Sequence, residues 1–85
     1  MRDNELLRRV EVNPRVMLGK PVVRGTRIPV EQILRKLAQN IAPDEIIADF
    51  PLLTLDDIRA ALEYAALSLS TEEFVPLELV EMVAV

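Results

Sequence analysis

The stretch APDEIIADFPLLTLDDIRAALEYAA, residues 42–66, contains two helix starts and one helix stop. Pro43 suits a first helical position, and Asp44 and Glu45 follow it at the positive end of the helix dipole. Ile41, just upstream, is placed to staple against Ile46. Pro51 restricts Phe50 and ends this helix there. Thr54 then offers an N-cap hydroxyl, Asp57 stands three residues on in a variant of the capping box, and Leu53 is positioned to staple against Ile58. Only Pro51, Leu52 and Leu53 separate the two helices, which is a helix-turn-helix spacing.

Working outward, VEQILRKLAQN (30–40) repeats apolar residues at helical spacing through Val30, Ile33, Leu34, Leu37, Ala38 and Ile41, and Asn40 suits a left-handed C-terminal cap. The helix opened by Thr54 is expected to bury Ile58, Ala61, Leu62, Ala65, Ala66 and Leu69, its alanines allowing a neighbouring helix to approach closely. On the amino-terminal side, RRVEVNPRVML (8–18) alternates apolar and charged residues around Asn13-Pro14 and predicts two short strands joined by a tight turn. PVVRGTR (21–27) supplies a further short strand or extended arm before Ile28-Pro29 opens the first of the three helices. The expected fold is mainly α: a short amino-terminal β-hairpin or arm plus a three-helix, helix-turn-helix-like (winged-helix-like) bundle. Residues 1–70 form one domain in this reading, because 85 residues build one core and leave nothing for a second.

The last residues, STEEFVPLELVEMVAV (70–85), are apolar and acidic without clean periodicity; they read as an edge strand or as a short helix after Pro76. Such a tail needs cover. Residues 71–85 are therefore assigned as a dimer or partner segment, with Phe74, Leu77, Leu79, Val80 and Met82 as its contacts.

Composition narrows the chemistry. Apolar residues make up 51% of the chain and charged residues 28%, a globular balance. With no cysteine and no histidine, there is no thiolate metal site, cysteine nucleophile or imidazole base. Ser68 and Ser70 have no base in view, and the pairs Asp56-Asp57 and Glu72-Glu73 lack a second carboxylate cluster to hold a metal. Asp56-Asp57 reads as helix capping. No catalytic residues, metal or cofactor are expected, and the protein is read as a non-enzyme. Apolar runs are short and MRDNELLRRV carries charges where a signal peptide needs an apolar core, so a cytoplasmic protein without a membrane span is expected.

The net charge of −4 conceals a polarity along the chain. Residues 1–36 hold nine of the ten basic side chains against four acids, whereas residues 37–85 hold one arginine against ten acids. Lys20, Arg24 and Arg27 lie in or beside glycine-containing turns, where cations and backbone N–H groups together suit phosphate. Internal pairing with the domain's own acids is an equal alternative. LGKPVVRGT lacks the glycine spacing of a P-loop and the Ser/Thr after its lysine. Helix-turn-helix spacing suggests DNA, with the third helix in the major groove, yet that helix offers Arg59 alone against three acids. It reads better as scaffold or dimer face. The expected contact set is Lys20, Arg24 and Arg27, joined by Arg8, Arg9 and Arg15, with Pro51, Thr54, Asp57 and Arg59 marking the turn and third helix.

GKPVVRGTRIPVEQIL, followed by APDEIIADFPLLTLDDIRAALEYAA, resembles the domain of unknown function family 433, whose members share a G-K/R-P-x-I-R-G-T-R-I-P-V box and a later P-x-L-T-x-x-D-I/V-x-A-A-L box. The likeness covers about residues 9–66. Asn40 stands where the family often has glycine. The resemblance implies a hairpin followed by a helix-turn-helix-like bundle of DNA-binding type. It also implies the antitoxin half of a toxin–antitoxin pair, similar to VapB-type antitoxins, with a small PIN-like ribonuclease as partner and no established catalytic activity. A nuclease metal site is a carboxylate cluster, which an arginine-bearing arm could plug. The expected protein is thus an antitoxin or DNA-binding regulator, a homodimer or higher homo-oligomer, that neutralises such a ribonuclease and binds its own operator. The alternative is a protein–protein interaction module that never touches DNA.

Overall fold

Two turns of opposite character organise the amino-terminal third. Asn13 and Pro14 open the first: Val16 N–H donates to Asn13 C=O at 2.8 Å, and Arg15 N–H donates to the Asn13 side-chain oxygen at 2.9 Å. Proline presets the backbone and asparagine mimics a further backbone acceptor, so this turn is specified locally. In the second, Met17, Leu18 and Gly19 all have positive φ (51°, 58° and 83°), and Gly19 N–H donates to Val16 C=O at 3.0 Å. Left-handed backbone costs an L-residue roughly 1–2 kcal/mol, so Met17 and Leu18 sit in a conformation that their side chains oppose.

In the computed structural model, which describes residues 3–70, helix α1 (Asp3–Leu7) precedes strand β1 (Val10–Glu11). Strand β2 (Val22–Val23), helix α2 (Val30–Ala38), helix α3 (Pro43–Asp49) and helix α4 (Leu55–Ser70) follow. The expected mainly helical fold with a short amino-terminal hairpin is what the chain adopts. The pairing of the hairpin is not the expected one. β1 runs antiparallel to β2, with Val10 opposite Val23 and Glu11 opposite Val22, and RVML forms turns instead of a strand. Consecutive positive φ values carry Met17–Gly19 out of the β region, so the segment that could return beside β1 begins only after Pro21. Helix α1 was not legible in MRDNELLRRV; it buries Leu6 in the core and packs against α4.

The basic box is itself a tight hairpin. Thr26 N–H donates to Val23 C=O at 3.0 Å around Arg24-Gly25, and Gly25 takes the positive φ (82°) that the turn requires. The Thr26 hydroxyl donates to Val23 C=O at 2.7 Å and accepts from Ile28 N–H at 3.0 Å. Val23 N–H reaches Ile28 C=O and Val30 N–H reaches Pro21 C=O, so β2 has neighbours on both edges. Both of its valines are buried.

The helices begin and end where their local chemistry directs. Pro29, the expected first helical position, is instead the N-cap of α2, and the helix begins one residue later at Val30. Asn40 adopts φ 65°, Ile41 N–H donates to Lys36 C=O and Asn40 N–H donates to Leu37 C=O, the two bonds of a Schellman cap. Pro43 opens α3, where the Glu45 carboxylate accepts from Ala42 N–H at 3.3 Å. Ile46, Leu53 and Ile58 are buried in one core with Leu6, Val10, Val23, Val30 and Ile33, against which Ile41 also packs. That placement suits both expected staples.

The expected buried stripe of α4 needs correction. Asp57, Ile58, Ala60 and Ala61 are buried, but Leu62 is 48% exposed, Leu69 71% exposed, and Ala66 is exposed. The core lies on the side of Asp57, Ala60 and Ala61, about half a turn from Leu62, and no described element covers the Leu62 side. The tail contacts Phe74, Leu77, Leu79, Val80 and Met82, and the strand or helix expected after Pro76, lie outside the described residues.

Two stability outcomes follow from the turns. Leu18→Asn should raise stability by about 0.5–1 kcal/mol in chemical denaturation, because asparagine tolerates left-handed backbone and Leu18 is 95% exposed. An unchanged or lowered midpoint would mean that Leu18 makes a stabilising contact. Thr26→Val should cost about 1–2 kcal/mol through two lost hydrogen bonds, and Thr26→Ser markedly less.

Candidate nucleic-acid or partner interface

The six expected contact cations divide into two groups once their neighbours are known. Arg9 leaves the start of β1 toward the N-terminus of α4, where its guanidinium lies 3.2 Å from Asp57 Oδ1 and 3.6 Å from Asp56 Oδ2. Asp57 is only 6% exposed, so its charge requires compensation. Its other oxygen, Oδ2, accepts from Thr54 N–H at 2.9 Å and from the Thr54 hydroxyl at 3.1 Å, while Thr54 Oγ1 accepts from Asp57 N–H at 3.3 Å. The expected capping box therefore exists, with aspartate in the glutamate position, and doubles as the acceptor of a long-range ion pair.

Arg24 is also engaged. Its Nε–H donates to Arg8 C=O at 2.6 Å, a second guanidinium nitrogen lies 3.4 Å from Val10 C=O, and its backbone N–H donates to Arg9 C=O at 2.7 Å. The side chain thus clamps the strand edge beside β1. Lys20 Nζ lies 2.8 Å from Glu31 Oε1 on α2, and Arg35 approaches the other oxygen of Glu31 at 3.5 Å. The hydrogen bond and charge of Lys20 hold the Glu31 carboxyl below its ordinary value of 4.5, with Arg35 adding less. A depressed folded-state value means that this tether is fully present above pH 4.5 and is lost as pH falls through the lower folded value.

Arg8, Arg15 and Arg27 remain. All three are exposed, and none has a carboxylate within ion-pair distance among the described residues. Arg8 precedes β1, Arg15 sits in the Asn13-Pro14 turn and Arg27 follows the Thr26 turn, so the hairpin carries every one of them. The opposite charge lies on the helices: Asp44, Glu45 and Asp49 are exposed on α3, and Arg59 of α4 is paired with Asp56 at 3.3 Å. Pro51 and Thr54 belong to the α3–α4 turn, and Lys36 caps its entrance by lying 5.6 Å from the Phe50 ring centroid. Sequence patterning located the cations but not their division, which depends on partners 48 residues away for Arg9 and Asp57.

Comparison with known proteins places this geometry. The family model described as "Protein of unknown function (DUF433)" matches residues 10–65. The chain belongs to this family. A crystal structure of a DUF433 member from Anabaena variabilis ATCC 29413 superposes with a TM-score of 0.58 at 39% identity, covering 72% of this chain and 60% of that one. The uncharacterised protein y4eO of Sinorhizobium fredii is 36% identical over 56 residues, 66% of this chain and 25% of its own length. An uncharacterised protein of Archaeoglobus fulgidus is 52% identical over 29 residues, 34% of this chain and 81% of its own. This chain thus spans a quarter of the first curated relative it matches and most of the second. The DUF433 match begins at β1 and ends within α4, so it contains Asp57 and Arg15, Lys20, Arg24 and Arg27, while Arg8, Arg9 and α1 lie just outside it.

Arg9→Ala should destabilise by about 2 kcal/mol, since it strands a buried carboxylate. A double-mutant cycle with Asp57→Ala should show coupling of about 1 kcal/mol or more by urea denaturation. Additive losses would mean that the pair does not join hairpin to helix.

Proposed function

We propose that this protein is the antitoxin-type regulator of a toxin–antitoxin pair, similar to VapB-type antitoxins, that neutralises a small PIN-like ribonuclease and also binds its own operator DNA. The observation that carries the reading is the set Arg8, Arg15 and Arg27, three exposed guanidinium groups on the hairpin with no carboxylate partner among the described residues. Guanidinium recognises both ligands in the same way: it forms bidentate hydrogen bonds with phosphate oxygens and with carboxylates of the kind that line a nuclease metal site. Lys20, Arg24 and Arg9 serve mainly to hold the hairpin in place and contribute to the field. A cytoplasmic setting goes with this role, and no helix among the described residues is long and apolar enough to cross a membrane.

A second reading, an interaction module that never meets DNA, draws support from the acidic face of α3 and from Arg59 being paired with Asp56. DNA would meet that face at a Coulomb cost.

Capture of the tagged full chain from its native cells after nuclease treatment tests the partnership. A stoichiometric ribonuclease-like protein is the expected result, and recovery of this chain alone would overturn it. With the ribonuclease in hand, Arg8→Ala/Arg15→Ala/Arg27→Ala should weaken neutralisation at least tenfold; unchanged neutralisation would remove the hairpin from the contact. Operator binding should weaken with salt at a log–log slope of about −2 to −3 if these three arginines meet phosphate, and the triple variant should lose most of that slope. Salt-insensitive binding, or none, would favour the second reading.

A further inference from the structure

Helix α4 is half covered. The core takes Asp57, Ile58, Ala60 and Ala61, all in its first two turns, and leaves a second face open along its whole length. On that face Leu55 is 56% exposed, Leu62 48% and Leu69 71%, with Ala66 exposed between the last two. These leucines repeat every seven residues, and Ala66 falls four after Leu62. At about 100° per residue the four side chains lie within a narrow strip roughly 21 Å long. Leucine repeated in that register is the pattern of a helix that packs on another helix.

We infer that this strip is a seam between two copies of the chain, with the α4 helices antiparallel about a two-fold axis near Leu62. Charge and shape both point to that occupant. Arg59 and Glu63 lie along one edge of the strip, while the other edge merges into the protomer's own core at Ile58. A parallel pair would set the charged edge of one helix against the edge of the other that its own body occupies. An antiparallel pair instead brings the two charged edges together, so that Arg59 of each copy faces Glu63 of the other, and Leu55 of each meets Leu69 of the other around a central Leu62 contact. Like faces thus become complementary by symmetry, as a two-fold interface requires. Ala66 leaves room for the close approach that such a crossing needs. The ion pair of Arg59 with Asp56 is exposed and so exchanges readily for an intermolecular one. This inference does not depend on the ribonuclease reading and survives its failure.

The chain contains no cysteine, which makes single-cysteine cross-linking direct. Under mild oxidation, Leu62→Cys should form a disulfide dimer with itself. Leu55→Cys and Leu69→Cys should each remain uncross-linked alone and should join when mixed. Sedimentation of the cysteine-free full chain should show a dimer at about 100 μM, well above a micromolar dissociation constant. Leu62→Glu should give a folded monomer, since the side chain is already half exposed within the protomer. Arg59→Glu should weaken the dimer about tenfold, and Arg59→Glu/Glu63→Arg should restore it. A full chain that stays monomeric at that concentration, or self-cross-linking at Leu55 and Leu69 without any at Leu62, would overturn the proposal.

Discussion

The fold depends on one buried carboxylate. Asp57 sits in the first turn of α4, where the helix dipole and the N–H that Thr54 donates to it favour a negative charge, but burial at that position makes the charge costly unless it is fully compensated. Arg9 completes the compensation from the far end of the chain's core. Because the two partners lie on different elements, satisfying Asp57 fixes where the hairpin begins relative to the helix. A local capping interaction thereby becomes a tertiary constraint. Among the described residues no buried side-chain polar atom is left without a partner, as a core this small demands.

The glycine- and threonine-containing box serves a different purpose from the one its charge suggests at first sight. Gly25 and Thr26 close a tight hairpin, the Arg24 guanidinium ties that hairpin to the backbone beside β1, and Lys20 ties it to α2. Much of the positive charge in the box is therefore structural. The remaining arginines stand on a backbone anchored at several points, by the Thr26 turn, the Arg24 clamp and the Lys20–Glu31 pair. Charge polarity along the sequence thus persists in space as a cationic hairpin and an anionic helical face, although Arg9, Lys20 and Arg35 are engaged within the protomer as ion pairs and Arg24 as a backbone clamp.

What remains exposed is as informative as what is buried. Leu18 at the left-handed turn, and the Leu55–Leu62–Leu69 register on α4, place apolar surface on two separate parts of the molecule. The α4 register has the spacing of a helix-packing seam, and a domain of this size gains proportionally more from an extended core than a large one. The hairpin cations Arg8, Arg15 and Arg27 and the α4 leucines Leu55, Leu62 and Leu69 are separate sets of exposed side chains.

The sequence by itself determined the three carboxyl-terminal helices, their boundaries to within a residue or two, the Asn40 cap, the Thr54–Asp57 capping box and the family. Each of these rests on interactions among residues at most five apart, and local patterning encodes such interactions fully. Only the tertiary structure decided that β1 pairs with Val22–Val23 rather than with the adjacent RVML, that Asp3–Leu7 form a helix, and that Arg9, Lys20 and Arg24 are held internally while Arg8, Arg15 and Arg27 have no carboxylate partner among the described residues. It also decided which side of α4 is covered. Those outcomes depend on which elements meet across long stretches of chain, and a leucine looks the same in the sequence whether it faces its own core or a second molecule.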